Sequence, residues 1–178
     1  YIETDQTNIL FGAVSATSDP RKGYDLLAAA LRGLPDSSDY ACIVFGDDNP
    51  DLCKIGIQTE SVGHLPEKDL IGLYGDCDVM VVPSRQESFG QTALEALACG
   101  TPVVAFNATG LRDIVVHKET GYLADPYDPA DLRAGIEWVT HDEERQIRLA
   151  RAARIDAEER FEIETTAGQY AELYDRVA

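Results

Sequence analysis

Positive charge is what this sequence has least of. Its 15 basic residues stand against 32 acidic ones, a formal net charge of −17, and the lysines are only Lys22, Lys54, Lys68 and Lys118. A nucleic-acid surface needs a basic face, so that class of partner is excluded. Attachment to anionic lipid through this chain alone is disfavoured for the same reason. The acidic surface reads as a soluble, self-repelling one, with adaptation to a saline cytoplasm as the alternative. Long apolar runs are also missing: no window approaches a membrane span. No basic segment followed by an apolar core opens the chain, so no signal peptide is visible. Tyr1 in place of Met suggests an excised fragment, and the cytoplasm is the default location. Cys42, Cys53, Cys77 and Cys99 lack any C-x-x-C spacing. Cys42 and Cys99 lie in apolar surroundings, where a free thiol acts as a small hydrophobe, so structural thiols are expected rather than bridges or a metal site. His117 and His141 are isolated in sequence and read as surface residues.

What the chain does have is one dense stretch, Val79–Val104, reading VMVVPSRQESFGQTALEALACGTPVV. Asp78 precedes an apolar run, Val79–Val82, that reads as a buried strand closed by Pro83. A polar loop follows, Ser84–Gly90, and then Gln91–Cys99, rich in Ala and Leu and favouring helix. Gly100 suits the positive φ of a helix end, and Thr101-Pro102 stops any continuation. Val103–Phe106 reads as the next strand. The loop therefore lies over the carboxyl end of a parallel strand, where open sheets bind ligands. Gly90 lets a ligand approach the backbone, and the N–H groups of Gln91, Thr92 and Ala93 would point at it, as suits a phosphate. Glu87 and Glu95, eight positions apart, are then best used to accept hydrogen bonds from sugar hydroxyls, one set on a hexose and one on a ribose. Upstream, Arg21-Lys22-Gly23 sets two cations just ahead of a helix. They make sense if a diphosphate sits there; the alternative is an exposed basic turn.

These residues resemble a known family. Glu87 and Glu95 with the loop ESFG, the segment EALACGTPVVA and the upstream Lys22-Gly23 look like the E-x7-E signature of retaining glycosyltransferases of family 4. The match is to the carboxy-terminal, nucleotide-sugar-binding domain of the GT-B architecture, over Ile9 to Tyr174. The resemblance implies that Lys22 binds the donor diphosphate and that Gly63, His64 and Leu65 border the nucleobase. It also implies that Glu87 with Lys22 serves catalysis and that Ser88, Phe89, Gly90, Gln91 and Thr92 line the donor. An arginine usual in the family after the first strand is Ala13 here, with Arg21 as a candidate substitute. The form SATSDPRKG is similar to that of capsule and exopolysaccharide transferases. The nucleotide could be UDP-, GDP- or ADP-linked. An amino-terminal acceptor domain would lie outside the chain, which alone would bind donor without transferring sugar. The full-length enzyme could be peripheral to the inner membrane face. No cofactor and no metal are expected, since no Asp-x-Asp accompanies the loop. Asp76-Cys77-Asp78 has that spacing but abuts the wrong end of its strand.

The remaining elements follow in order. Asn8–Val14, Ala41–Gly46, Ile55–Thr59 and Gly121–Ala124 read as strands. Tyr24–Leu34, Glu67–Gly75, Asp113–Val116, Ala130–Thr140, Asp142–Arg160 and Glu164–Val177 read as helices. Asp128 is a natural N-cap with Pro129 at N1. Tyr170, Leu173, Tyr174 and Val177 form a stripe expected to pack. Asn107-Ala108-Thr109 matches a glycosylation sequon, taken as chance without a secretion signal. Strands alternating with helices predict one α/β domain over residues 1–178, a doubly wound, Rossmann-like parallel sheet. Two other functions keep that fold. A non-catalytic binding module explains the sheet but not the conjunction of Lys22, Glu87, Gly90 and Glu95. A phosphorylase or nucleotide-sugar epimerase shares the architecture, but no lysine near Glu87 would hold pyridoxal phosphate. A glycosidase-type carboxylate pair is a poor fit, because neither acid has an evident apolar pocket to raise its pKa.

Overall fold

The computed structural model describes residues 6–12, 18–47 and 55–177. Six parallel strands form one sheet in the order β3-β2-β1-β4-β5-β6: β1 (Thr7–Gly12), β2 (Tyr40–Phe45), β3 (Gln58–Gly63), β4 (Val79–Val82), β5 (Val103–Phe106) and β6 (Gly121–Ala124). The chain winds outward from β1 to β3, then returns to the centre and winds the other way. The reversal lies between β1 and β4, where Ile9 pairs with Val79 and Leu10 with Met80. Loops leaving the carboxyl ends of those two strands diverge to opposite faces and open a crevice.

Alternation along each strand feeds two cores. Ile9, Phe11, Val79, Val81, Val104 and Phe106 face one side, under α1 (Tyr24–Arg32) and α5 (Pro129–Thr140). Leu10, Met80, Val82, Val103 and Ala105 face the other, under α2 (Glu67–Asp76), α3 (Gln91–Ala98) and α4 (Leu111–Ile114). Helix α6 (Glu143–Phe161) serves both layers: Leu149 joins the first core, Ala153 and Ala157 the second. Asp128 caps α5 by accepting from the Ala130 N–H at 2.8 Å. Asp128→Ala is expected to cost about 1 kcal/mol, read as a lower denaturant midpoint with an unchanged slope.

Several bounds move by one or two residues, and three expectations need larger correction. The strand expected at Ile55–Thr59 is Gln58–Gly63. Ile55 and Ile57 do enter the core, but from the bend before the strand. The strand itself is a polar edge, QTESVG, which needs no apolar alternation. The short helix expected at Asp113–Val116 is Leu111–Ile114, because the β-branched Val115 is already extended (φ −91°, ψ 127°). The stripe on α7 (Ile163–Val177) is not packed: Tyr170, Leu173, Tyr174 and Val177 are all exposed. The first strand is described over Thr7–Gly12, and Ala13, Val14 and Cys53 lie outside the described residues. Cys42, Cys77 and Cys99 are free thiols, and burial pushes Cys42 and Cys77 up to about 12. No helix among the described residues is long and apolar enough to cross a membrane.

Candidate functional site

Two loops meet at the reversal between β1 and β4. The first ends in a single 3₁₀ turn, Pro20–Lys22, and the second is Pro83–Gly90. Across the gap Lys22 Nζ donates to Glu87 Oε2 at 2.9 Å, though the residues are 65 positions apart. Their side chains are 23% and 19% exposed, so water screens the pair less than it would a surface one. Ser84 Oγ makes a longer 3.4 Å contact with the same oxygen.

Main-chain bonds lock the loops in register. Arg85 N–H donates to Arg21 O at 2.7 Å. The Arg85 guanidinium reaches back to the Pro20 carbonyl at 3.0 Å and grips both oxygens of Asp25 at 2.7 Å. That bidentate grip holds the Asp25 carboxyl below its usual range. From the β6 side, Tyr127 donates its hydroxyl to Arg85 O at 3.1 Å. Glu87 is itself braced by a turn after β5: its N–H donates to Thr109 Oγ1 at 3.2 Å, and its carbonyl accepts from Gly110 N–H at 2.9 Å. A Cβ at Gly110 would sit 2.6 Å from Ser88 O, so only glycine permits this approach.

Two helices begin beside the pair. α1 and α3 have Gly23 and Gly90 as N-caps, both left-handed, and neither has a side-chain cap. At α3 no side-chain cap takes the first-turn N–H groups, and the helix dipole favours an anion there. At α1 the Leu26 N–H already donates to Gly23 O at 3.0 Å, and the Asp25 carboxyl accepts from the backbone of Asp25 and Leu26. Ser88, Phe89 and Gln91 are exposed around this edge, and Thr92 is half-buried. Arg21 is committed elsewhere: its guanidinium folds onto Asp19 at 2.7 to 3.1 Å. The Arg21 hydrogen bonds lower the Asp19 carboxyl to about 2. Of Arg21 and Lys22, Lys22 is therefore the one placed in the crevice.

Glu95 lies one turn into α3 and has a different partner. Its Oε2 accepts from the Tyr74 hydroxyl at 2.9 Å. It lines a neighbouring cleft of about 560 Å³ with Leu65, Leu70, Ile71 and Tyr74. Gly63 ends β3 with φ 62°, its carbonyl accepting from Gly46 N–H at 2.7 Å, and the adjacent His64 is exposed. The predicted site residues thus fall into two groups, Lys22 with Glu87 and Leu65 with Glu95, with α3 running from one to the other. Asp78 is used at the opposite end of the sheet, accepting from Asn8 N–H at 2.7 Å and from Gln146 at 2.8 Å. Sequence reasoning missed Arg85, Thr109 and Tyr74. Arg85, a cation two residues before Glu87, was the detectable one.

A doubly wound sheet with a lysine and a carboxylate meeting at its switch point defines an α/β ligand-binding domain. Residues 5–156 match the sequence family described as glycosyl transferases group 1, and the chain belongs to that family. The chain is similar to the glycogen synthase of Mycobacterium tuberculosis (strain CDC 1551 / Oshkosh), 40% identical over 116 residues, which is 65% of this chain and 28% of that protein. It is 34% identical over 163 residues to the D-inositol 3-phosphate glycosyltransferase of Xylanimonas cellulosilytica, covering 86% of this chain and 39% of that one. The fold matches the sucrose-phosphate synthase of Thermosynechococcus elongatus with a TM-score of 0.84 at 29% identity, over 97% of this chain and 46% of the other. It matches Anabaena HepE, solved with UDP and glucose, at 0.82 and 26%, over 97% and 49%. The chain thus spans less than half the length of each of these relatives.

Proposed function

We propose that this chain is the donor-binding half of a retaining, GT-B glycosyltransferase of family 4. The complete enzyme would move a sugar from a nucleotide diphosphate sugar to an acceptor hydroxyl, in cytoplasmic polysaccharide or glycoconjugate synthesis of the exopolysaccharide kind. The observation that carries the proposal is the Lys22–Glu87 pair at the switch point, set beside two helix starts without side-chain caps. The helix N–H groups and Lys22 meet the diphosphate, and Glu87 accepts from hydroxyls of the transferred hexose. Glu95 takes the ribose, with the base toward Gly63, His64 and Leu65. UDP is the favoured nucleotide, since HepE, solved with UDP and glucose, shares this fold over nearly the whole chain. As the sugar departs, negative charge grows on the outer phosphate, and donors already fixed there stabilise the transition state without reorganising. Lys22 and the amides supply that balance with no call on a metal. The acceptor site belongs to the part of the enzyme that the relatives' greater length provides.

Calorimetric titration with UDP and GDP tests this reading on the wild-type chain, Lys22→Ala and Glu95→Ala. Each substitution removes a hydrogen bond involving a charged group, so UDP affinity should fall by about ten- to a hundredfold. Equal heats from all three proteins would sink the assignment.

A further inference from the structure

We propose that Tyr74 is a positioning residue, whose buried hydroxyl fixes the Glu95 carboxylate in the orientation that accepts hydrogen bonds from the vicinal hydroxyls of a ribose. The inference deepens the proposed function and rests on its assignment of Glu95.

Tyr74 is held from three sides. Its side chain is only 1% exposed, and its ring meets Phe45 edge-on at 5.7 Å between centroids. Its carbonyl accepts from the Thr101 hydroxyl at 2.6 Å, which ties the end of α2 to the turn before β5. With the ring fixed, the phenol oxygen has one position, 2.9 Å from Glu95 Oε2. Burial, and next the Glu95 charge, push the phenol well above its usual range, so it stays a donor at every working pH.

Glu95 needs such a partner. A free glutamate samples many rotamers, and ordering one costs on the order of 1.5–2 kcal/mol. An ionised carboxylate offers about four acceptor sites. Tyr74 takes one of them, on Oε2, and the Glu95 side chain lines the cleft together with Leu65, Leu70 and Ile71. Packing alone would not require the hydroxyl, because phenylalanine fills the same space. A phenol buried beneath a carboxylate at a cleft rim instead holds an acceptor ready for two adjacent donors, the arrangement a ribose presents.

The test compares UDP with 2′,3′-dideoxy-UDP on the wild-type chain, Tyr74→Phe and Glu95→Ala, with thermal melts confirming that each variant folds. The wild type should prefer UDP by about tenfold or more, since two hydroxyls meet a charged acceptor. Glu95→Ala should erase that preference. Tyr74→Phe should cut it about three- to tenfold and bind dideoxy-UDP as the wild type does. A Tyr74→Phe protein that weakens both ligands equally, or keeps the wild-type preference, overturns the inference while leaving Glu95 on the ribose. A Glu95→Ala protein that keeps the preference removes the underlying assignment as well.

Discussion

Replacing Glu87 by glutamine is expected to separate nucleotide binding from sugar transfer. Lys22 Nζ donates to Glu87 Oε2 at 2.9 Å, so a bound diphosphate must compete with Glu87 for that ammonium. The pair is about four-fifths buried, and in that setting a carboxylate is a stronger competitor than it would be in water. Glutamine keeps the size and an acceptor oxygen but gives up the charge. UDP affinity of Glu87→Gln should therefore hold or rise by several-fold, in contrast to Lys22→Ala. Transfer should respond the opposite way. A sugar leaving its phosphate gathers positive charge at the anomeric carbon, and a carboxylate anchored on the sugar hydroxyls favours that charge where an amide does not. In an enzyme that carries the acceptor half, kcat should fall by ~10²–10³, the range measured for loss of one preorganised electrostatic group. Titration of UDP and steady-state transfer on the same preparation check both halves of the statement. Weaker UDP binding with intact transfer would make the pair a structural brace and nothing more.

Much of this arrangement was legible in the residues. Strands β4, β5 and β6 match their expected bounds residue for residue, because each is a short run with a sharp local stop. Pro83 closes β4, the Gly100-Thr101-Pro102 turn precedes β5, and Asp125 follows β6. Gly100 takes the positive φ expected of it, 79°. The edge strand β3 was misplaced because its polar residues carry no periodic signal, while the isoleucines before it do. Lys22 and Glu87 could be brought together from sequence through the rule that adjacent loops of a doubly wound sheet share a crevice, and through the family resemblance. Their bond is braced by Arg85, Thr109 and Gly110. Arg85 carries a local signal, a cation two residues before Glu87, but nothing local distinguishes Thr109 and Gly110 from ordinary loop residues. Tyr74 was hidden in another way. It sits on the buried face of α2, where an aromatic reads as core, and whether its hydroxyl ends in the core or at a cleft rim is decided by α3. The α7 stripe shows the converse. Its helical spacing was read correctly, but periodicity records that a face is apolar and not that anything in this chain covers it.

Gly23→Ala should damage the protein more than any other single change near the site. Gly23 adopts φ 70°, where an L residue is strained, at a cost of about 1–2 kcal/mol. A Cβ there would lie 1.9 Å from the Pro83 carbonyl oxygen, a main-chain atom with no rotamer to escape through. Relief requires the start of α1 to move away from the end of β4. That movement would also pull apart the Arg85 N–H to Arg21 O bond and the Lys22–Glu87 pair, since both bridge the same two loops. Strain and lost bonds together should exceed about 3 kcal/mol, which for a domain of this size lowers Tm by roughly 6–12 °C. A merely exposed turn would tolerate alanine at less than half that cost, because nothing would oppose its displacement. Thermal unfolding decides between the two, and a UDP titration well below the lowered midpoint adds a second reading. If the helix start and Lys22 form one anion site, affinity falls even where the variant is fully folded, whereas a melt shifted by less than about 2 °C would mean that the two loops are not locked together here.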